Sequence, residues 1–162
     1  MKTNNTFSEE ELIIRNYRTS DYKATLEILQ QLDDKYDIGL DKNKWKKFSG
    51  IRQFKQNLRR ITVILELKET GEVIGMGMIE AEKDSLGRFI GYMNNWAVKK
   101  DYIGKGVGKI LGDKAIKILE LWGCESIRIN IGYGYSEKLI NIFSKAGFKP
   151  KIIVLEKRLN QK

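Results

Sequence analysis

The chain reads as a mixed α/β (α+β) fold: one domain with a central sheet of about six to seven strands and about four flanking helices. Three observations carry this. The apolar period switches from two to about 3.6 and back several times along 162 residues. Strand-like runs interleave with helix-like runs, with no repeat and no linker between them. The length is that of one ordinary domain able to bury a core of its own. Residues 9–162 are therefore assigned to one domain and residues 1–8 to a flexible tail.

ELIIRNYR, residues 11–18, opens with a β-branched run and breaks at Thr19-Ser20-Asp21, a plausible helix cap. From there Ala24, Leu26, Ile28, Leu29 and Leu32 recur at helical spacing. Trp45, Phe48, Ile51, Phe54 and Leu58 do the same over 41–58, a stripe that reads as core. The period then becomes that of strands. RITVILELK, a turn at 69–72 and VIGMGMIEAEK predict an antiparallel hairpin, and a second turn at 84–87 leads into RFIGYMNNWAV. Val107, Ile110, Leu111, Ala115, Ile116, Ile118, Leu119 and Trp122 trace the apolar stripe of a helix over 108–122 that ends near Gly123. SIRINIG is a short strand, EKLINIFSKAGF a helix closed by Gly147, and KIIVLEKRL, residues 151–159, a last strand. The helix at 108–122 makes the strands before and after it parallel.

Composition excludes several kinds of chemistry. Net charge is +9 and there is no histidine, so serine-histidine triads and the usual zinc sites are ruled out, and no metal is expected. The apolar runs are too short to span a bilayer. The start, MKTNNTFSEEEL, lacks the apolar stretch of a secretory signal, and Cys124 is the only cysteine, so a cytoplasmic setting is expected. Cys124 sits where a core residue is expected rather than a nucleophile. Positive charge suits a polyanion or a phosphorylated cofactor. Nucleic acid fits less well, because the aromatics stand at core spacing and not among the lysines as a stacking platform.

The sharpest local feature is IGKGVGK, residues 103–109, between a strand and a helix. Gly104, Gly106 and Gly108 are evenly spaced by two, which matches neither G-x-G-x-x-G nor the Walker A loop, where Gly-Lys must be followed by Ser or Thr and not Ile110. Strand, bare turn and helix start still present free amides to an anion, and a diphosphate suits them. Lys105 and Lys109 would add point charges. On spacing alone, a glycine-rich turn with solvated lysines explains the stretch as well.

VKKDYIGKGVGKIL resembles motif A of the GNAT N-acetyltransferase superfamily, and SEKLINIFSKAGF resembles a further landmark downstream. The similarity in element order runs from LIIRNYR to the last strand. It implies an acetyl-CoA-dependent N-acetyltransferase acting by direct attack of a primary amine on the thioester, the acceptor being a small molecule or a peptide. By position, Ile103, Gly104, Lys105, Gly106, Val107, Gly108 and Lys109 would hold the pyrophosphate; Trp96, Ala97 and Val98 would line the pantetheine; and Ser136 and Phe143 would also face the coenzyme. Many members dimerise, which leaves a homodimer open.

The chain departs from the pattern in three places. Ile103 replaces an arginine or glutamine, Ser136 an asparagine, and Phe143 the tyrosine that would protonate the departing thiolate; Ser136 also reads as a helix N-cap. Tyr133, Tyr135 and Ser136 are candidates for the acid. GYMNNWAV and RINIG hold no glutamate to act as base. Tyr92, Asn94 and Asn130 would relay a proton through water, with Glu80 and Glu82 the nearest carboxylates in sequence. The catalytic candidates are thus Tyr92, Asn130 and Tyr135, and Tyr36 and Asp37 would receive a cationic amine. A coenzyme-binding module without turnover is the alternative that Phe143 and the missing glutamate motivate.

Overall fold

A computed structural model describes residues 6–48, 59–131, 136–157 and 159. It divides into two compact units, Met1–Asn130 and Ile131–Lys162.

The first unit is a five-stranded mixed sheet in the order β1-β2-β3-β4-β5, with β1 at Leu12–Asn16, β2 at Arg60–Leu67, β3 at Val73–Lys83, β4 at Phe89–Val98 and β5 at Ser126–Ile129. The first four strands pair antiparallel, and β4 pairs parallel with β5, as the intervening helix requires. Helices α1 (Tyr22–Tyr36) and α2 (Lys42–Lys47) precede β2, and α3 (Val107–Leu121) links β4 to β5. One buried cluster joins Ile28, Leu29 and Trp45 to Ile64, Val73, Met76 and Ala97 of the sheet. Against the other face, α3 presents Val107, Leu111, Ala115 and Leu119, one residue every four, each no more than 1% exposed. Each of the large aliphatics stabilises the fold by about 1.5–3 kcal/mol. Glycines set the fit. A Cβ on Gly91 would stand 2.8 Å from Leu119 Cδ2, closer than packed atoms come.

Arg15 ties the sheet to the start of α1. Its guanidinium holds both oxygens of Asp21 at 2.7 and 2.9 Å, and its Nε donates to Glu66 at 2.8 Å. Burial pushes the Asp21 carboxyl up, but Arg15 and the Arg18 amide outweigh it and hold it below the usual value.

Among the described residues the sheet has five strands where six to seven were expected. Residues 151–157 form no strand: Ile152, Ile153, Val154 and Leu155 are all exposed. β-branched composition expresses fit to a paired, half-buried surface, and no ladder forms there among the described residues. SIRINIG stops pairing at Ile129. Of the helix expected over 41–58, α2 covers six residues, and Ile51, Phe54 and Leu58 lie outside the described residues. Trp45 is buried as expected, but α2 ends at Lys47, so Phe48 leaves the apolar face and stands 46% exposed.

The second unit holds α4, Ser136–Ser144. After it the chain turns at Gly147, with φ +86°, and the Phe148 amide donates to the Phe143 carbonyl at 3.1 Å. The Phe143 and Phe148 rings meet edge to face, 5.8 Å apart. No helix among the described residues is long and apolar enough to cross a membrane.

Candidate active site

β4 carries the first half of the site, and its irregularity is local. Met76 stands opposite Ala97 and Met78 opposite Asn94, so Gly77 alone faces both Asn95 and Trp96. This is a β-bulge, the device that bends a strand and re-aims the residues beyond the bend. Asn95 adopts φ +50°, a region asparagine tolerates better than most residues. Gly77 is required here, since a Cβ would stand 2.1 Å from Trp96 Cε3. Below the bulge, Ile90 to Met93 pair with Ser126 to Ile129; beyond Met93 the ladder between β4 and β5 ends. The β5-facing edge of Asn94–Val98 therefore carries no strand among the described residues. The side chains of Trp96 and Ala97 serve packing, against Gly77 and within the α1-side cluster. Polar groups of the backbone are what this stretch offers a ligand.

The glycine loop supplies the second half. After a 3₁₀ turn at Lys100–Tyr102 the chain passes Gly104 (φ +82°) and Gly106 (φ +81°), and Gly106 caps α3. The Ile103 and Lys105 amides donate back to Lys100 and Tyr102, and those of Lys109 and Ile110 to the Gly106 carbonyl at 3.0 and 3.2 Å. The amides of Gly104, Gly106, Val107 and Gly108 have no acceptor among the described residues. Bare donors in and just before the first turn of a helix attract anionic oxygen. Ile103 is 66% exposed and offers no polar atom on its side chain. Lys109 pairs with Asp113 at 2.5 Å, and the Lys105 ammonium lies 5.3 Å from the centre of the Tyr102 ring, so neither lysine is committed to the loop itself.

What holds the loop was not foreseen from the sequence. Glu72, in the turn between β2 and β3, accepts from Lys99 Nζ at 2.5 Å and from the Tyr102 hydroxyl at 2.8 Å. Lys99, and then Tyr102, keep the Glu72 carboxyl below its ordinary range, while Glu72 pushes the Tyr102 phenol up. On the other side, the Lys100 amide donates to Gln31 Oε1 of α1 at 2.8 Å. Partners 27 and 69 residues apart leave no local pattern to read. A groove of about 470 Å³ lies nearby, lined by Phe7, Glu11, Leu67, Lys68, Glu69 and Tyr102; it contains no residue of the 103–109 loop.

The catalytic candidates sit in a different environment. Tyr92 is half-buried on β4, in register with Glu80 of β3 and Arg128 of β5. Arg128 donates to its hydroxyl at 3.5 Å and reaches Asp84 at 3.7 Å, while Glu80 pairs with Arg60 at 3.0 Å. Asn130 is exposed just past the end of β5. Tyr133 and Tyr135 lie outside the described residues, and so does the side chain of Ser136, which opens α4. Ser136 and Phe143 belong to the second unit. Tyr36 and Asp37 end α1: Asp37 is left-handed at φ +47°, its amide donates to the Asp33 carbonyl at 2.8 Å, and Lys35 Nζ lies 5.0 Å from the Tyr36 ring centre. Cys124 is half-buried, and burial pushes its thiol up, away from nucleophilic duty. No group of three or more Cys, Asp or Glu among the described residues is arranged to hold a metal ion.

The architecture recurs in solved structures. An acetyltransferase from Trypanosoma brucei superposes with a TM-score of 0.72 at 23% identity, over 91% of this chain and 99% of its own. Glucosamine-6-phosphate N-acetyltransferase from Arabidopsis thaliana gives 0.72 at 20%, over 92% and 99%. An aminoglycoside acetyltransferase from an uncultured soil metagenomic sample, in complex with sisomicin, gives 0.67 at 12%, over 94% and 99%. At these identities the likeness speaks for the fold. No curated protein sequence matches the chain. The family model described as acetyltransferase (GNAT) matches residues 24–148, a span that takes in the bulged strand, the bare loop and α4, and the chain therefore belongs to the GNAT acetyltransferase family.

Proposed function

We propose that the protein is an acetyl-CoA-dependent N-acetyltransferase in which a primary amine, on a small molecule or a peptide, attacks the thioester directly. The observation that carries this reading is the row of amides at Gly104, Gly106, Val107 and Gly108, which, like the β5-facing edge at the end of β4 next to them in the chain, have no partner among the described residues. The family generally uses acetyl-CoA, and the residues present fit it. A diphosphate would rest on the loop amides, each charge-assisted hydrogen bond contributing about 1.5–3 kcal/mol. Pantetheine would run along Trp96, Ala97 and Val98, and Ser136 and Phe143 are assigned to the coenzyme by their place in the family pattern.

Acetyl-CoA supplies the activated acetyl group; the protein positions it and manages protons. A β4 amide on the unpaired side would polarise the thioester carbonyl, most effectively if its direction is set before reaction, and the bulge at Asn95–Trp96 sets that direction. The acceptor must lose a proton: a lysine-like amine titrates near 10.4 and an α-amine near 8. Tyr92 and Asn130 would relay that proton through water, Tyr135 would assist the leaving thiolate, and Tyr36 and Asp37 would meet the amine.

Saturating acetyl-CoA is expected to raise Tm by about 5–10 °C, from roughly 2.7 kcal/mol of linkage at 100 times Kd, and to support acetyl transfer to at least one member of an amine panel. Absence of both effects sinks the reading. One observation favours a second: the Phe143 ring packs on Phe148 and has no proton to give. Coenzyme binding without transfer to any amine would identify a non-catalytic coenzyme-binding module instead.

A further inference from the structure

We propose that the N-terminal residues Thr6 and Phe7 act as a positioning strap: the Phe7 N–H fixes the Lys105–Gly106 peptide so that the Gly106 amide faces the diphosphate. This rests on the reading of the loop as a diphosphate cradle. Of the segment expected to be a tail, residues 6–8 are described, and Thr6 and Phe7 lie against the loop. The Phe7 amide donates to the Lys105 carbonyl at 3.1 Å. The chain has no cis peptide among the described residues, and in a planar trans peptide C=O and N–H point in opposite directions. A Lys105 carbonyl turned toward Phe7 therefore turns the Gly106 N–H away from the strap, and that N–H has no acceptor among the described residues.

Such a peptide needs an external hold. It runs between Gly104 and Gly106, both at positive φ, and glycine visits either sign of φ with little preference. A half-turn of the plane would present the carbonyl oxygen to the anion in place of the donor. The strap opposes that turn at several points. Thr6 Cγ2 sits 2.8 Å from where a Cβ of residue 106 would be, so a side chain there would have to displace the Thr6 methyl. The Phe7 ring lies 5.8 Å from the Tyr102 ring, centre to centre, and Tyr102 is held by Glu72. Upstream of β1, the strap is anchored where Ser8 donates to Glu11 at 2.8 Å and the Lys68 amide donates to the Glu11 carbonyl at 2.9 Å.

The test separates amide aim from general stability. In the full chain, Phe7→Pro removes the N–H donor, Phe7→Ala keeps it and removes the ring, and deletion of residues 2–7 removes the donor without introducing proline. Coenzyme A is titrated by calorimetry, and pantetheine, which lacks the diphosphate, by NMR. Phe7→Pro and the deletion are expected to weaken coenzyme A about tenfold and pantetheine less than twofold, with Phe7→Ala costing less than threefold. Equal loss for both ligands would reduce the strap to a structural role. Unchanged or tighter coenzyme A binding would overturn the proposal, tighter binding marking the strap as a plug. Failure of the unaltered protein to bind coenzyme A, or binding no tighter than pantetheine, would instead remove the cradle reading on which the proposal stands.

Discussion

Along β4 two regions lie end to end and are organised by different means. From Asn94 to Gly108 the proposed site is made of backbone: a bulge that frees a strand edge, then a loop whose amides at 104, 106, 107 and 108 have no partner among the described residues. Around Tyr92 the proposed site is made of side chains already engaged with one another, Arg60 with Glu80 and Arg128 with Tyr92 and Asp84. Backbone donors held by the fold stand ready for a ligand without rearrangement, which suits the part of a reaction shared by a whole family. Paired side chains must exchange partners to receive a substrate.

Substitutions at the backbone end are expected to act on coenzyme affinity, and those at the side-chain end on turnover. The largest effect belongs to Gly106→Glu: at φ +81° any side chain is strained, this one meets Thr6, and its carboxylate repels a diphosphate. Calorimetry should show at least a hundredfold loss of acetyl-CoA affinity, with the far-ultraviolet circular dichroism retained. Gly77→Val drives a branched side chain into the Trp96 ring. Overpacking of this kind costs about 1–3 kcal/mol, and by displacing the bulge it should lower both Tm and coenzyme affinity. Unaltered affinity would detach the bulge from the site. Tyr92→Phe is expected to lower kcat about tenfold with coenzyme Kd within twofold, and the opposite split would erase the contrast between the two ends.

Glu72→Gln should raise coenzyme Kd only about twofold, because its pair with Lys99 is partly exposed and such pairs contribute about 1 kcal/mol or less. Its pH dependence has a definite sign. The folded Glu72 carboxyl titrates below its ordinary value of 4.5, so its contribution is fully present above about pH 4.5 and is lost as pH falls through the lower, folded value. The Tm curves of the parent protein and Glu72→Gln should therefore converge on acidification; parallel curves would show that the ion pair contributes nothing.

The same contrast explains what was legible in the sequence. The loop was readable because glycine spacing reports backbone conformation directly, and α3 because its stripe repeats locally. The parallel β4–β5 pair was implied by the helix between them. The bulge was not readable from the residue pattern and followed only from the family resemblance, since its left-handed residue is Asn95 and the glycine it needs, Gly77, lies on the neighbouring strand. Nor was the Glu72–Lys99–Tyr102 network, in which Glu72 stands 27 residues from Lys99 in sequence. The apolar run at 152–155 suggested a strand by composition, but strand formation depends on a partner that composition does not specify.

The claim that the bare loop amides hold the diphosphate can be met directly with a ¹⁵N-resolved titration, in which glycine amides fall in their own region of the spectrum. Adding coenzyme A should shift Gly104, Gly106, Val107 and Gly108 most strongly, with pantetheine moving β4 residues 94–98 and leaving those four nearly still. Shifts centred elsewhere, with the four loop amides unmoved by coenzyme A, would contradict the account.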